Sequence, residues 1–197
     1  MQTTLSLIGA QLAVATRTLV ALVFLAAALG KMRHWLAFQG VLANYRLLPE
    51  RLIAPVAYLL PPAEAALALW LATGFATAWA SLAAASLLLL FAAAMGINLR
   101  RGRRSIDCGC FQSTLKQSLS WRLVGRNVVL ALLLGCATGA PPVRWDAWQT
   151  SESVLAGVML FGLLNALNIL WSIVPAWRRT SAGGAVVASS AHAGGHT

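Results

Sequence analysis

The sequence predicts an all-α integral membrane protein, an antiparallel bundle of about five transmembrane helices. Two observations predict it. Of the 197 residues, 59% are hydrophobic and only 10% charged, with mean hydropathy +0.73; a soluble domain carries roughly 25% charged residues. The apolar residues also gather into runs of about 20, the length at which a helix rising ~1.5 Å per residue crosses a ~30 Å hydrocarbon core. This composition excludes a disordered chain. Three cysteines exclude a disulfide framework. A net charge of +10 would suit nucleic acid in a soluble protein. Here the basic residues punctuate apolar runs, so the expected contact is membrane lipid and no nucleic acid.

The runs are Ile8 to Leu29, Leu52 to Thr73, Phe75 to Ile97, Leu123 to Ala140, and Val154 to Val174. Pro55, Pro61 and Pro62 interrupt the second, which neighbouring helices or water can tolerate by satisfying the freed carbonyls. Only the turn around Gly74 separates the second and third runs, so they form a helical hairpin. No internal repeat is visible, and residues 1–179 read as one bundle. Residues 180–197 are rich in Ser, Ala and Gly. They have nothing to bury and are expected to be disordered. His192 and His196 lie in that tail, and two lone histidines do not make a metal site.

Orientation follows from Lys and Arg. Lys31, Arg33, Arg46 and Arg51 follow the first run; Arg100, Arg101, Arg103, Arg104, Lys116, Arg122 and Arg126 follow the third; Arg178 and Arg179 follow the fifth. The opposite side has only Arg144. By the positive-inside rule the N-terminus is periplasmic and the C-terminus cytoplasmic, in a multi-pass inner-membrane protein. A competing reading takes Arg17 and the following apolar stretch as a signal peptide. Cleavage there would put four positive charges outside, and the residues before Arg17 are too apolar for a signal's basic region.

Chemistry concentrates in the third loop, Asp107-Cys108-Gly109-Cys110-Phe111-Gln112. Two cysteines flanking one glycine can close a disulfide only as a strained ring, which suits exchange rather than stapling. Upstream arginines favour the thiolate and Asp107 opposes it. A zinc site would need further ligands, and none is suitably spaced. Redox exchange, two small loop residues without chemistry, and metal binding all remain open at this point. Cys136 lies thirteen residues after Leu123, ~20 Å along its helix. It reads as packing, not as the resolving partner of Cys108 or Cys110.

Two ionisable residues fall inside runs. Arg17 is nine residues into the first, and Glu64 is nine before the end of the second. In antiparallel helices both would sit ~13 Å below the outer face, so an intramembrane pair of Arg17 with Glu64 is expected. It serves either as a polar site or proton relay, or as an ion pair fixing helix register. Asn165 and Asn168 would complete a polar cluster or join helices by hydrogen bonds.

The pattern Arg17…Phe24-Leu25…Gly30-Lys31…Phe38…Tyr45-Arg46-Leu47-Leu48-Pro49, with Pro62-Ala63-Glu64 opening an apolar run, resembles the DoxX-like membrane proteins. Asp107-Cys108-Gly109-Cys110-Phe111 and Arg126-Asn127 narrow the resemblance to the MauE family. It spans roughly residues 10 to 175. The resemblance implies an inner-membrane accessory that matures the disulfide-rich small subunit of periplasmic methylamine dehydrogenase. The implied partner is a thioredoxin-like protein, MauD. Cys108 and Cys110 would be the exchanging pair of a thiol–disulfide oxidoreductase. The likeness extends to bundles that pass electrons from cysteines to a quinone, but this chain has no second cysteine pair for such a relay.

One tension follows. The implied substrate is periplasmic, whereas the charge count places Cys108 and Cys110 on the cytoplasmic side. A loop re-entering the bundle, electron import from cytoplasmic thiols, or an inverted topology would each reconcile them. A non-catalytic scaffold docking the partner and the unfolded subunit is the alternative to exchange chemistry. A transporter built on Arg17 and Glu64 is a further alternative, disfavoured by the absence of internal symmetry.

Overall fold

The computed structural model describes residues 2–103, 119–138 and 151–170, with side chains described from residue 7 onward. Every described element is a helix. They are α1 (Gln2–Arg33), α2 (Trp35–Tyr45), α3 (Glu50–Thr73), α4 (Thr77–Arg100) and α5 (Trp121–Thr138), followed by α6 (Ser151–Leu170). Five of the six are long and apolar enough to cross a bilayer. The chain is a multi-pass membrane protein. Residues Met1–Phe161 form one compact unit and Gly162–Thr197 a second, of which the end of α6 is described. The expected tail, 180–197, lies outside the described residues.

Helix packing follows a seven-residue rhythm. On α3 the buried positions are Ala57, Pro61, Glu64, Leu67, Ala68 and Leu71. On α4 they include Ser81, Leu88 and Met95, and on α5 Leu123, Leu130 and Ala137. A seven-residue repeat keeps one stripe facing its neighbours when helices cross at a shallow angle. The most extensive packing pairs α4 with α5 and α1 with α3. Alanine and serine at Ala80, Ser81, Ala84 and Ala85 let backbones approach closely, which matters where lipid gives no hydrophobic drive to helix association. The outer faces carry exposed Leu59, Leu69, Leu90 and Leu132, as expected of helices that meet acyl chains.

The hairpin expected at Gly74 is present. Gly74 caps α3 with φ 69°, a left-handed conformation that glycine adopts without a Cβ clash. Trp70 Nε1 donates to Phe75 O at 3.1 Å across the turn, and Thr73 Oγ1 donates to Trp70 O at 2.8 Å. The helix α3 also runs unbroken through Pro55, Pro61 and Pro62.

One element departs from expectation. The stretch after the first run, read as a basic loop, is largely helical. The helix α1 continues to Arg33, pauses at His34 (φ −124°, ψ 48°), and resumes as α2. His34 N still bonds Gly30 O, and Phe38 N bonds His34 O, so the interruption is one residue wide. Lys31 is therefore not a loop charge. It is buried within the bundle.

Candidate functional site

Along α1 and α2 the residues Arg17, Phe24, Lys31, Phe38 and Tyr45 stand seven apart. Phe24, Lys31, Phe38 and Tyr45 are all buried, so one inward face continues across the pause at His34. On α3 the same rhythm puts Glu64 between Ala57 and Leu71. These stripes meet at a salt bridge between Lys31 Nζ and Glu64 Oε1.

Lys31 is 2% exposed and Glu64 0%, so the pair is closed to solvent. Two rings complete the setting. The ammonium lies 5.4 Å from the centroid of Phe38 on α2 and 5.0 Å from that of Phe91 on α4. Each ring turns its negative face to the cation. A lone charge in this surrounding would be costly; an ion pair backed by aromatic quadrupoles is the affordable arrangement. The ammonium thus joins four helices, α1 to α4, at one point. Glu64 lies ~21 Å along α3 from Glu50, well inside a span.

The expected partner of Glu64 was Arg17, and the structure assigns Lys31 instead. Arg17 and Lys31 share a face of α1 but stand fourteen residues apart, ~21 Å along the axis. The helix α1 has 32 residues and α3 has 24, so equal counts from two helix ends do not give equal height. Arg17 Nη2 donates to Ala137 O at 3.0 Å, near the end of α5. A guanidinium suits that position because the last carbonyls of a helix lack intrahelical donors and carry partial negative charge. Next to it α6 presses on α1: a Cβ added to Gly157 would lie 2.7 Å from Ala15 O and 2.7 Å from Thr18 Cβ.

Further polar groups are buried in α4 and α5. Asn98 Nδ2 donates to Ala94 O at 3.1 Å, and Asn127 is buried on the inward face of α5. Asn165 and Asn168 are half-buried on the part of α6 in the second unit. Cys136, expected to pack inside, is a free thiol exposed on the outer surface of α5. Its position, fifteen residues from Trp121, places it ~22 Å along that helix. The residues Cys108 and Cys110 lie outside the described residues. Among the described residues no group of three or more His, Cys, Asp or Glu is placed to hold a metal ion.

Sequence reasoning missed Lys31, Phe38 and Phe91 as companions of Glu64. The seven-residue spacing through Phe24, Lys31 and Phe38 is the signal that finds Lys31 and Phe38; it does not reach Phe91, which lies on α4.

The family model described as methylamine utilisation protein MauE matches residues 9–140. The chain belongs to the MauE family. A MauE from Paracoccus denitrificans is 52% identical over 158 residues, 79% of this chain and 85% of the relative. One from Paracoccus versutus is 42% identical over the same shares. One from Methylorubrum extorquens is 46% identical over 116 residues, 59% of this chain and 62% of the relative. No solved structure matches. The MauE match takes in α2 to α5 and α1 from residue 9 onward, and so holds both Lys31 and Glu64 and the segment with Cys108 and Cys110. It stops before α6.

Proposed function

We propose that this chain is an inner-membrane accessory for maturation of the disulfide-rich small subunit of periplasmic methylamine dehydrogenase, acting by thiol–disulfide exchange at Cys108 and Cys110. Membership of the MauE family carries the role in methylamine utilisation. The Cys-Gly-Cys spacing carries the chemistry. One thiolate attacks a disulfide of the thioredoxin-like partner MauD, forming a mixed disulfide and releasing a partner thiolate. The second cysteine then attacks the mixed disulfide, freeing the partner's other thiolate and leaving Cys108 joined to Cys110. Two electrons pass from the cysteine pair to MauD. A dithiol of the small subunit then reduces the Cys108–Cys110 bond by the same two exchanges and is itself oxidised to a subunit disulfide, which returns the pair to dithiol.

Within this reading the buried Lys31–Glu64 pair is architectural. It locks α1 to α4 and leaves the chemistry to the segment between α4 and α5. The exposed arginines Arg46, Arg51, Arg100, Arg101 and Arg122 support a cytoplasmic assignment for their end of the bundle, with the N-terminus periplasmic. Lys31, being buried and paired, drops out of that count.

The test is replacement of both cysteines by serine in cells growing on methylamine. Loss of mature dehydrogenase at unchanged membrane levels of the variant is the expected result. One observation favours a second reading, a scaffold that docks MauD and the unfolded subunit without exchange chemistry: the chain has three cysteines in all, and the third, Cys136, faces outward on α5. Under that reading the double-serine variant matures the enzyme normally.

A further inference from the structure

The end of the bundle where α2 and α4 stop and α5 starts is built from one apolar cluster. Tyr45, Met95, Leu99, Leu119 and Leu123 pack there as buried residues. Each helix end sets arginine directly beside its cluster residue: Arg46 after Tyr45, Arg100 and Arg101 after Leu99, and Arg122 before Leu123. All four are exposed. Arg46, Arg100 and Arg101 have no side-chain hydrogen bond or ion pair among the described residues. Packing of the cluster holds these like charges around one plug, and like charges within a Debye length of ~10 Å repel.

We propose that the α2 and α4 side of this arginine collar binds the phosphate of an anionic phospholipid headgroup, shared between Arg46 and the pair Arg100 and Arg101. Guanidinium groups take phosphate oxygens in bidentate pairs, and one phosphate between the ends of α2 and α4 turns their repulsion into a bridge. The source is lipid because exposed apolar residues border the collar: Leu47 beside Arg46, Ile97 on α4, and Trp121 beside Arg122. Those side chains offer a surface for acyl chains, and tryptophan favours headgroup level. The cluster lies under the collar as the hydrocarbon boundary lies under headgroups. Basic residues near a bilayer surface each contribute about 1 kcal/mol with anionic lipid, which corresponds to about 5-fold in affinity per arginine.

The experiment compares the full-length chain in nanodiscs of neutral phosphatidylcholine with nanodiscs containing phosphatidylglycerol. The expected result is a Tm about 4 °C higher with the anionic lipid, and loss of that difference in an Arg46→Gln, Arg100→Gln, Arg101→Gln variant. An equal rise in the variant, or no rise in the wild type, overturns the proposal. Inorganic phosphate added to neutral nanodiscs is expected to leave Tm unchanged; a full rise with phosphate alone shows a free-anion site and overturns the lipid assignment. Should the triple variant fail to fold, native mass spectrometry of Arg101→Gln decides instead. Retention of phosphatidylglycerol about 5-fold below wild type supports the collar, and equal retention overturns it.

Discussion

Lys31 and Glu64 form a buried ion pair that joins α1 to α3, with the rings of Phe38 and Phe91 facing the ammonium. The pair brings four of the six helices to one point. Removing one member leaves the other charged and enclosed, which in buried pairs costs about 3–5 kcal/mol. Lys31→Met and Glu64→Gln are therefore expected to lower folded yield sharply, as read by size-exclusion chromatography in mild detergent. Lys31→Met with Glu64→Leu recovers most of the loss. The charge swap Lys31→Glu with Glu64→Lys does not, because it turns a carboxylate toward two negative ring faces. Full recovery by the swap would show that the rings are bystanders.

Arg17 and Glu64 act separately in this architecture. Arg17 holds the end of α5 through Ala137 O, so Arg17→Ala costs about 1–3 kcal/mol by leaving a carbonyl without its charged donor. A double-mutant cycle between Arg17 and Glu64 is expected to show coupling under about 0.5 kcal/mol, the level for separated sites. The cycle between Lys31 and Glu64 shows several times that. Strong Arg17–Glu64 coupling in thermal unfolding would restore the pairing that helix counting suggests.

Gly157 sets how closely α6 approaches α1. Its Cβ would collide with Ala15 O, a backbone atom that cannot turn aside. Gly157→Ala is expected to destabilise by about 1–3 kcal/mol, the usual range for overpacking, and Gly157→Leu by more. Gly135→Ala is the control, since an added Cβ there meets nothing within 4 Å. A steric-trap measurement of α6 release reads the difference. Equal behaviour of the two alanine variants contradicts the close crossing.

Cys136 faces out from α5, so its replacement by serine leaves stability within about 0.5 kcal/mol and dehydrogenase maturation unchanged. A lipid-soluble maleimide labels it in intact membranes without denaturant. Failure to label until the protein is unfolded would place the thiol inside the bundle.

Much of this architecture is legible in the sequence, and the reasons differ by element. Five apolar runs fall within a few residues of the five long helices, because run length against bilayer thickness is a strong constraint. The α3–α4 hairpin is legible in Gly74 for the same reason that glycine caps helices. The helix α2 is not. Its 11 residues include Gln39, Gly40 and Asn44, too short and too polar to read as a span, and it is held by burial of Phe38 and Tyr45 rather than by propensity.

Lys31 was misread for a related reason. A lysine closing an apolar run looks like a charge at the membrane edge, and only its phase with Phe24 and Phe38 marks it as inward. Height is the harder quantity. Counting from helix ends assumes that the ends align, whereas α1 outruns α3 by eight residues. Cys136 shows the matching limit: an apolar helix has no polar face, so composition alone does not tell inward from outward.

In the proposed function Cys108 and Cys110 exchange electrons with a partner protein. The most direct measurement is thiol trapping in intact cells, with a membrane-impermeant and then a permeant maleimide, followed by mass mapping of Cys108, Cys110 and Cys136. Cys108 and Cys110 are expected to cycle between dithiol and disulfide and to accumulate in one state when MauD is removed, while Cys136 stays a thiol throughout. The reagent that reaches the pair fixes its side of the membrane. A pair that stays reduced with and without MauD rules out exchange at Cys108 and Cys110 and leaves the chain a scaffold.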